Sequence, residues 1–174
     1  MIAICLRGPA GAGKTTIAYE LGRALRQRGC IKGMLGYISA DMFAHISLDC
    51  QYAEPEVDLK YHNIELVIRN LASNTMDVIY DDTYRRTRDY DFIERLLQDL
   101  GYRPIYKFFV FVPLDVALRR NSSRFWKERL PDELIISHHR FHEELVGSGE
   151  IQVDALLEVG ESVRLMLDAI APID

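Results

Sequence analysis

Residues Gly8-Pro9-Ala10-Gly11-Ala12-Gly13-Lys14-Thr15 follow the pattern GxxxxGK(S/T), whose residue types and spacing can hold a polyphosphate. Glycines let successive backbone N–H groups turn toward an anion, and a helix starting at the same place adds the positive end of its dipole. Lys14 can then reach the β- and γ-phosphates of a nucleoside triphosphate, the Thr15 hydroxyl can ligate Mg²⁺, and Thr16 continues the contact set. The apolar run Ile2 to Leu6 before the motif and the helical pattern after it give the strand, loop and helix that the motif requires.

Other candidates follow the later apolar runs, because ligands in parallel α/β sheets collect beyond the carboxyl ends of the strands. Asp41, in Ser39-Ala40-Asp41, can orient an acceptor hydroxyl and take its proton, or simply cap a short helix at Met42. Asp81 and Asp82 end the run Ile79-Tyr80, and one of them is expected to hold Mg²⁺; paired acids at a strand end also form turns. Thr83 follows, then Arg85, Arg86 and Arg88, which suit either an acceptor phosphate or a solvated helix start. Arg120 and Arg124 share one helical face, as a lid folding over nucleotide at about residues 118–131 requires, although a plain basic helix has the same pattern. His138 and His142 are spaced to share a metal, but no HExxH motif or nearby cysteine completes a site.

Apolar periodicity alternates between strand and helix, which predicts a three-layer α/β sandwich with a mostly parallel five-stranded sheet. Strands are expected at Ile2 to Leu6, Tyr37 to Ala40, Val78 to Tyr80, Ile105 to Val112 and Ile151 to Val153. The first helix carries Ile17, Leu21, Ala24 and Leu25 on one face and ends near Gly29; the second begins near Pro55. A third, with Phe92, Ile93, Leu96 and Leu97, closes at Gly101; another runs from Leu134 to Leu145 before the break at Gly147-Ser148-Gly149, and a last one carries Val159, Val163, Met166 and Ile170.

The chain's 174 residues are one domain's worth, with no internal repeat or linker. Its 21 basic and 26 acidic residues, a net charge of −5, argue against a broad electrostatic groove for duplex nucleic acid. Cys5, Cys30 and Cys50 show no metal or disulfide spacing, no basic leader precedes the first apolar run, and no apolar stretch approaches the ~20 residues of a membrane span. The sequence reads as a cytoplasmic protein without a membrane partner.

Together, the phosphate loop, Ser39-Ala40-Asp41, Asp81-Asp82-Thr83, and Val112-Pro113-Leu114-Asp115 through Arg120-Asn121-Ser122-Ser123-Arg124 resemble the phage-type polynucleotide 5′-kinases and their relatives, including seryl-tRNA kinases. Leu130-Pro131-Asp132-Glu133-Leu134 continues the resemblance, which spans roughly residues 2 to 145. The resemblance implies a P-loop NTPase fold of the nucleotide-kinase kind with a helical lid, and transfer of the γ-phosphate of ATP, with Mg²⁺, to an alcohol. It further implies that Lys14 and Thr15 contact phosphate and metal, that Asp41 is the general base, that Arg120 and Arg124 are lid arginines, and that Asp82 and Thr83 lie near the acceptor. These kinases carry an arginine shortly after the acid where this sequence has Ala44. The resemblance points first to a polynucleotide 5′-hydroxyl (an RNA or DNA end) or a tRNA-linked acceptor, with a small metabolite or antibiotic hydroxyl as the alternative; the residues alone do not choose among them. A nucleotide-hydrolysing switch or assembly factor is the competing class; the sequence lacks the Asn-Lys-x-Asp element of a guanine-specific switch.

Overall fold

The structure is a computed structural model that describes residues 1–43, 53–84, 86–126, 129–144 and 149–170. Ala44, Cys50, Arg85, Lys127, Leu145, Gly147 and Ser148 lie outside the described residues. The chain runs β1 (Ala3–Arg7), α1 (Lys14–Gln27), β2 (Leu35–Ser39), a 3₁₀ turn (Ala40–Phe43), α2 (Glu54–Ser73), β3 (Asp77–Asp82) and α3 (Thr87–Asp99). It continues through β4 (Ile105–Phe111), α4 (Leu114–Ser122), α5 (Asp132–Glu144), β5 (Ile151–Asp154) and α6 (Val159–Ala169).

All five strands are parallel, in the order β2-β3-β1-β4-β5, so β1 is central and the chain departs from it first to one side and then to the other. The pleat gives the sheet two cores. Ile4, Leu6, Ile79, Phe108 and Val110 pack with Ile17, Leu21 and Leu25 of α1 and with Val163 and Met166 of α6. Ala3, Ile38, Val78 and Tyr80 face the opposite way, against Tyr61, Ile64 and Ile68 of α2 and Ile93 and Leu97 of α3. Truncating a side chain as buried as Leu21 to alanine would cost about 2–5 kcal/mol.

Element existence matches the periodicity, and the ends shift. α1 stops where glycine permits it: Gly29 takes φ +69°, its N–H donates to Arg26 O at 3.1 Å, and the N–H of Cys30 donates to Leu25 O at 3.0 Å. β3 runs two residues beyond Tyr80 and so takes Asp81 and Asp82 into the strand. Of the stretch 118–131 expected as a helical lid, α4 covers only the part to Ser122; Arg124, Phe125 and Trp126 follow its C-cap, Ser123. Among the described residues no helix is long and apolar enough to cross a membrane.

Candidate active site

β1 ends at Arg7 and α1 begins at Lys14, so residues 8–13 form the loop at the centre of the sheet's carboxyl edge. A Cβ on Gly8 would stand 2.0 Å from the carbonyl oxygen of Val110 in neighbouring β4, which leaves no room for any other residue there. Gly13 caps α1 at φ +94° with no side chain on the first-turn N–H groups, the arrangement that favours an anion at a helix start. Pro9 supplies carbonyl bonds to Lys14 and to the Ala12 N–H, and Ala10, the next residue of the loop, is buried.

Lys14 is 7 % exposed and folds back over the loop: Nζ donates to Gly8 O at 2.9 Å, to Pro9 O at 3.2 Å and to the Thr83 hydroxyl at 3.1 Å. Burial lowers its pKa, and the nearby carboxylates of Asp81, Asp41 and Asp82 oppose that shift. Asp81 lies level with Leu6 on one side and Ser39 on the other, and points toward α1. Its Oδ2 accepts from Thr15 Oγ1 at 3.2 Å and from Tyr37 Oη at 2.5 Å, and its Oδ1 accepts from Ser39 Oγ at 2.9 Å. Burial pushes its pKa up, against Lys14 and these hydrogen bonds. One carboxylate and one hydroxyl suit a hard cation that completes its shell with phosphate and water. Among the described residues no group of three or more His, Cys, Asp or Glu side chains forms a protein-only metal cage.

Asp82 is not brought to this cluster. The strand's alternation turns it to the other face, where it accepts from Tyr61 Oη and Tyr80 Oη at 2.7 Å each, from Lys60 Nζ at 3.2 Å and from the Tyr84 N–H at 3.1 Å. Burial alone would raise its pKa, but Lys60, the two tyrosines and the Tyr84 N–H outweigh it and hold the carboxyl below the ordinary range. Arg86 is likewise drawn elsewhere: it pairs with Asp89, with Glu54 at 2.6 Å and with Asp58 at 2.9 Å, tying the start of α3 to the first turns of α2. Arg88 joins the same two α2 carboxylates. Asp41 sits exposed on the 3₁₀ turn after β2, close enough to Lys14 and Asp81 for its charge to act on both.

On the side away from Asp81, a cavity of about 230 Å³ is lined by Gly11, Gly13, Thr16, Arg120, Arg124 and Ser162 among others. Arg120 holds its wall, donating to Ala12 O at 3.2 Å, to Gly11 O at 3.4 Å and to Ala155 O at 2.7 Å. The connection from α4 to α5 is closed at its base by buried Asn121, which donates to Leu130 O at 2.8 Å and accepts from the Leu130 N–H at 3.0 Å.

No protein-family model matches the sequence. The chain is 25 % identical over 134 residues to a probable adenylyl-sulfate kinase of Pyrococcus abyssi, a span of 75 % of this chain and 71 % of that protein. It superposes on a sugar kinase from a Janibacter species with a TM-score of 0.73 at 16 % identity, covering 99 % of this chain and 96 % of that one. A gluconokinase from Sinorhizobium meliloti superposes with a TM-score of 0.68 at 17 % identity over 97 % and 91 % of the two chains. The fold is that of the P-loop kinases.

Sequence reasoning did not single out Tyr37 and Ser39 as the partners that orient Asp81. Their positions in β2, two apart and on the same face as Asp81, were a readable signal once the strand's true extent was known. Nor did it find Arg7 and Glu150, or a role for His142, which meet behind the loop in a buried cluster. No spacing announces a pairing between residues 143 positions apart.

Proposed function

We propose that this protein is a single-domain, ATP-dependent phosphotransferase that moves the γ-phosphate of ATP to a hydroxyl of a small metabolite. The observation that carries this reading is the Thr15–Asp81 hydrogen bond of 3.2 Å beside a buried Lys14, with Asp41 across the opening. In this reading the backbone of residues 8–13 cradles the phosphates and Lys14 exchanges the Gly8 and Pro9 carbonyls for phosphate oxygens. Thr15 and Asp81 would hold Mg²⁺, which when bound neutralises charge on the transferring group. Asp41 aligns the acceptor hydroxyl and takes its proton. Arg120 and Arg124 border the nucleotide cavity, and the segment at about 118–131 closes over it to exclude water.

Two features support a small acceptor over an RNA or DNA end. Arg86 and Arg88 are occupied by carboxylates of α2 and α3, and the net charge is −5. The names of the similar proteins add an adenylyl sulfate, a sugar and a gluconate as first acceptors to try. The free thiols of Cys5 and Cys30 suit a reducing compartment, and the cytoplasm is the proposed location.

The test is transfer of labelled γ-phosphate from Mg-ATP across those three acceptors, further small alcohols, oligonucleotides and tRNA. A small alcohol is expected to be labelled, and Asp41→Asn should lower that transfer by roughly 10²–10⁴ while leaving ATP affinity nearly unchanged. Labelling of oligonucleotides or tRNA alone would replace the small acceptor with a nucleic-acid one. ATP hydrolysis that depends on a protein partner, with no acceptor labelled, would favour a switch or assembly factor.

A further inference from the structure

Behind the phosphate loop lies a buried polar network that the chemistry above does not use. Arg7, the last residue of β1, directly precedes Gly8 and is 4 % exposed. Its Nε and Nη2 donate to the two carboxylate oxygens of Glu150 at 2.6 and 2.5 Å, and Tyr90 Oη donates to Glu150 Oε1 at 2.9 Å. The guanidinium carbon stands 4.2 Å from the centroid of the Phe109 ring. Arg7 Nη1 also meets Nδ1 of His142, on α5, at 2.9 Å. A guanidinium only donates, so Nδ1 is the accepting nitrogen and Nε2 carries the hydrogen, which it donates to the Thr83 carbonyl at 2.6 Å. Through its hydroxyl, Thr83 receives Lys14 Nζ at 3.1 Å. Hydrogen bonds thus run from Glu150 through Arg7, His142 and Thr83 to the lysine of the loop.

Burying an ion pair gives little net stability by itself, because desolvation offsets the attraction. The backbone at the far end of the network shows what such rigidity can do. Tyr84, the residue after Thr83, has φ +36°, a conformation that non-glycine residues keep only where the surroundings over-determine it. Its N–H is tied to Asp82, and its ring is enclosed between Tyr80 and Tyr90 at centroid distances of 6.2 and 5.3 Å. Thr83 is therefore held from both sides, by His142 at its carbonyl and by the anchored Tyr84 that follows.

We infer that His142, oriented by the Arg7–Glu150 pair, is a positioning residue that fixes the Thr83 main chain and thereby the place from which Lys14 reaches the phosphates. This rests on the kinase reading of the same site and adds to it a part supplied by α5 and by the residue just before β5. A displacement of about 1 Å at a transferring centre is enough to cost on the order of 10² in rate, which is why the support matters to turnover.

Two variants separate positioning from packing. His142→Phe keeps a ring against Phe109 and Phe141 but has neither polar atom, whereas His142→Gln offers Arg7 an acceptor and Thr83 a donor from one amide. Phosphate release from Mg-ATP, to water or to an alcohol found in the screen, is measured well below the melting temperature of both. His142→Phe should lower kcat about tenfold or more with KM for Mg-ATP within about threefold of wild type, and His142→Gln should recover most of the loss. Wild-type kcat in His142→Phe, or a loss that glutamine does not restore, overturns the positioning role and leaves the kinase reading standing. A wild-type protein that neither changes Trp126 fluorescence with Mg-ATP nor releases phosphate overturns the kinase reading, and this inference with it.

Discussion

Asp81 and Asp82 are consecutive residues of β3, 2 % and 1 % exposed, yet they belong to different halves of the molecule. Asp81 faces α1 and the phosphate loop, where two of its three donors are the hydroxyls of Ser39 and Thr15; burial leaves its charged form disfavoured. Asp82 faces α2, where two tyrosines, a lysine and a backbone N–H over-compensate the same burial and favour the charge. An under-compensated carboxylate is one that a cation can still improve, while a fully compensated one is part of the framework. The α1 side of the sheet thus keeps unspent electrostatic capacity, and the opposite side has used it to fasten α2 to the strand.

That contrast can be broken most sharply at the two acids. Asp81→Asn should reduce Mg²⁺-supported phosphate transfer by roughly 10² while the melting temperature holds or rises, because a disfavoured buried charge is removed. Mg²⁺ titrations of initial rate, together with thermal melts, read both effects; a large drop in melting temperature would mean that Asp81 is framework after all. Asp82→Ala strands Tyr61, Tyr80 and Lys60 and should cost about 3–5 kcal/mol of unfolding free energy. Denaturant unfolding measures the cost, and a loss under ~1 kcal/mol would remove the framework role.

A smaller effect follows from acidification. Burial, then the positive charge of Lys14, lower the pKa of His142 from 6.5 to about 3, and burial shifts His139 the same way. The unfolded chain binds these protons more readily than the folded one, so stability is present above about 6.5 and is lost as pH falls from there toward 3. His142 alone should contribute a slope of up to roughly 1.4 kcal/mol per pH unit within that window. Urea midpoints at successive pH values should show it, and His142→Phe should flatten it; equal slopes in the two proteins would remove the assignment. The smallest effect belongs to the solvent-facing rim. Arg88 is 59 % exposed in its side chain, so Arg88→Ala should change stability by no more than about 0.5 kcal/mol despite its two carboxylate partners.

The sequence by itself determined the glycine-rich loop between the first strand and the first helix, and the alternation of strand and helix. Glycine spacing, the 2.0 and 3.6 periodicities and the Gly29 stop are local properties that survive in any arrangement of the chain. It also brought Asp41, Asp81 and Thr83 into consideration, because strand ends are visible in the apolar pattern. Which acid faces the loop was decided by the tertiary structure, since β3 had to continue past Tyr80 and pair with β1 and β2 before the pleat could send Asp81 to one face and Asp82 to the other. The same holds for Arg86, which the sequence left between a ligand and a solvated surface. Asp89, three residues on, takes two of its N–H groups, and the partner that the sequence could not show is Glu54, 32 positions earlier, brought opposite by the packing of α2 beside α3. Arg7 and Glu150 are the extreme case: 143 positions separate them, and only the placement of β1 next to β4, and of β4 next to β5, brings the guanidinium to its carboxylate. Local pattern fixes what each segment becomes, whereas a buried charge finds its partner through chain topology, because that partner comes from a segment whose position no nearby residue encodes.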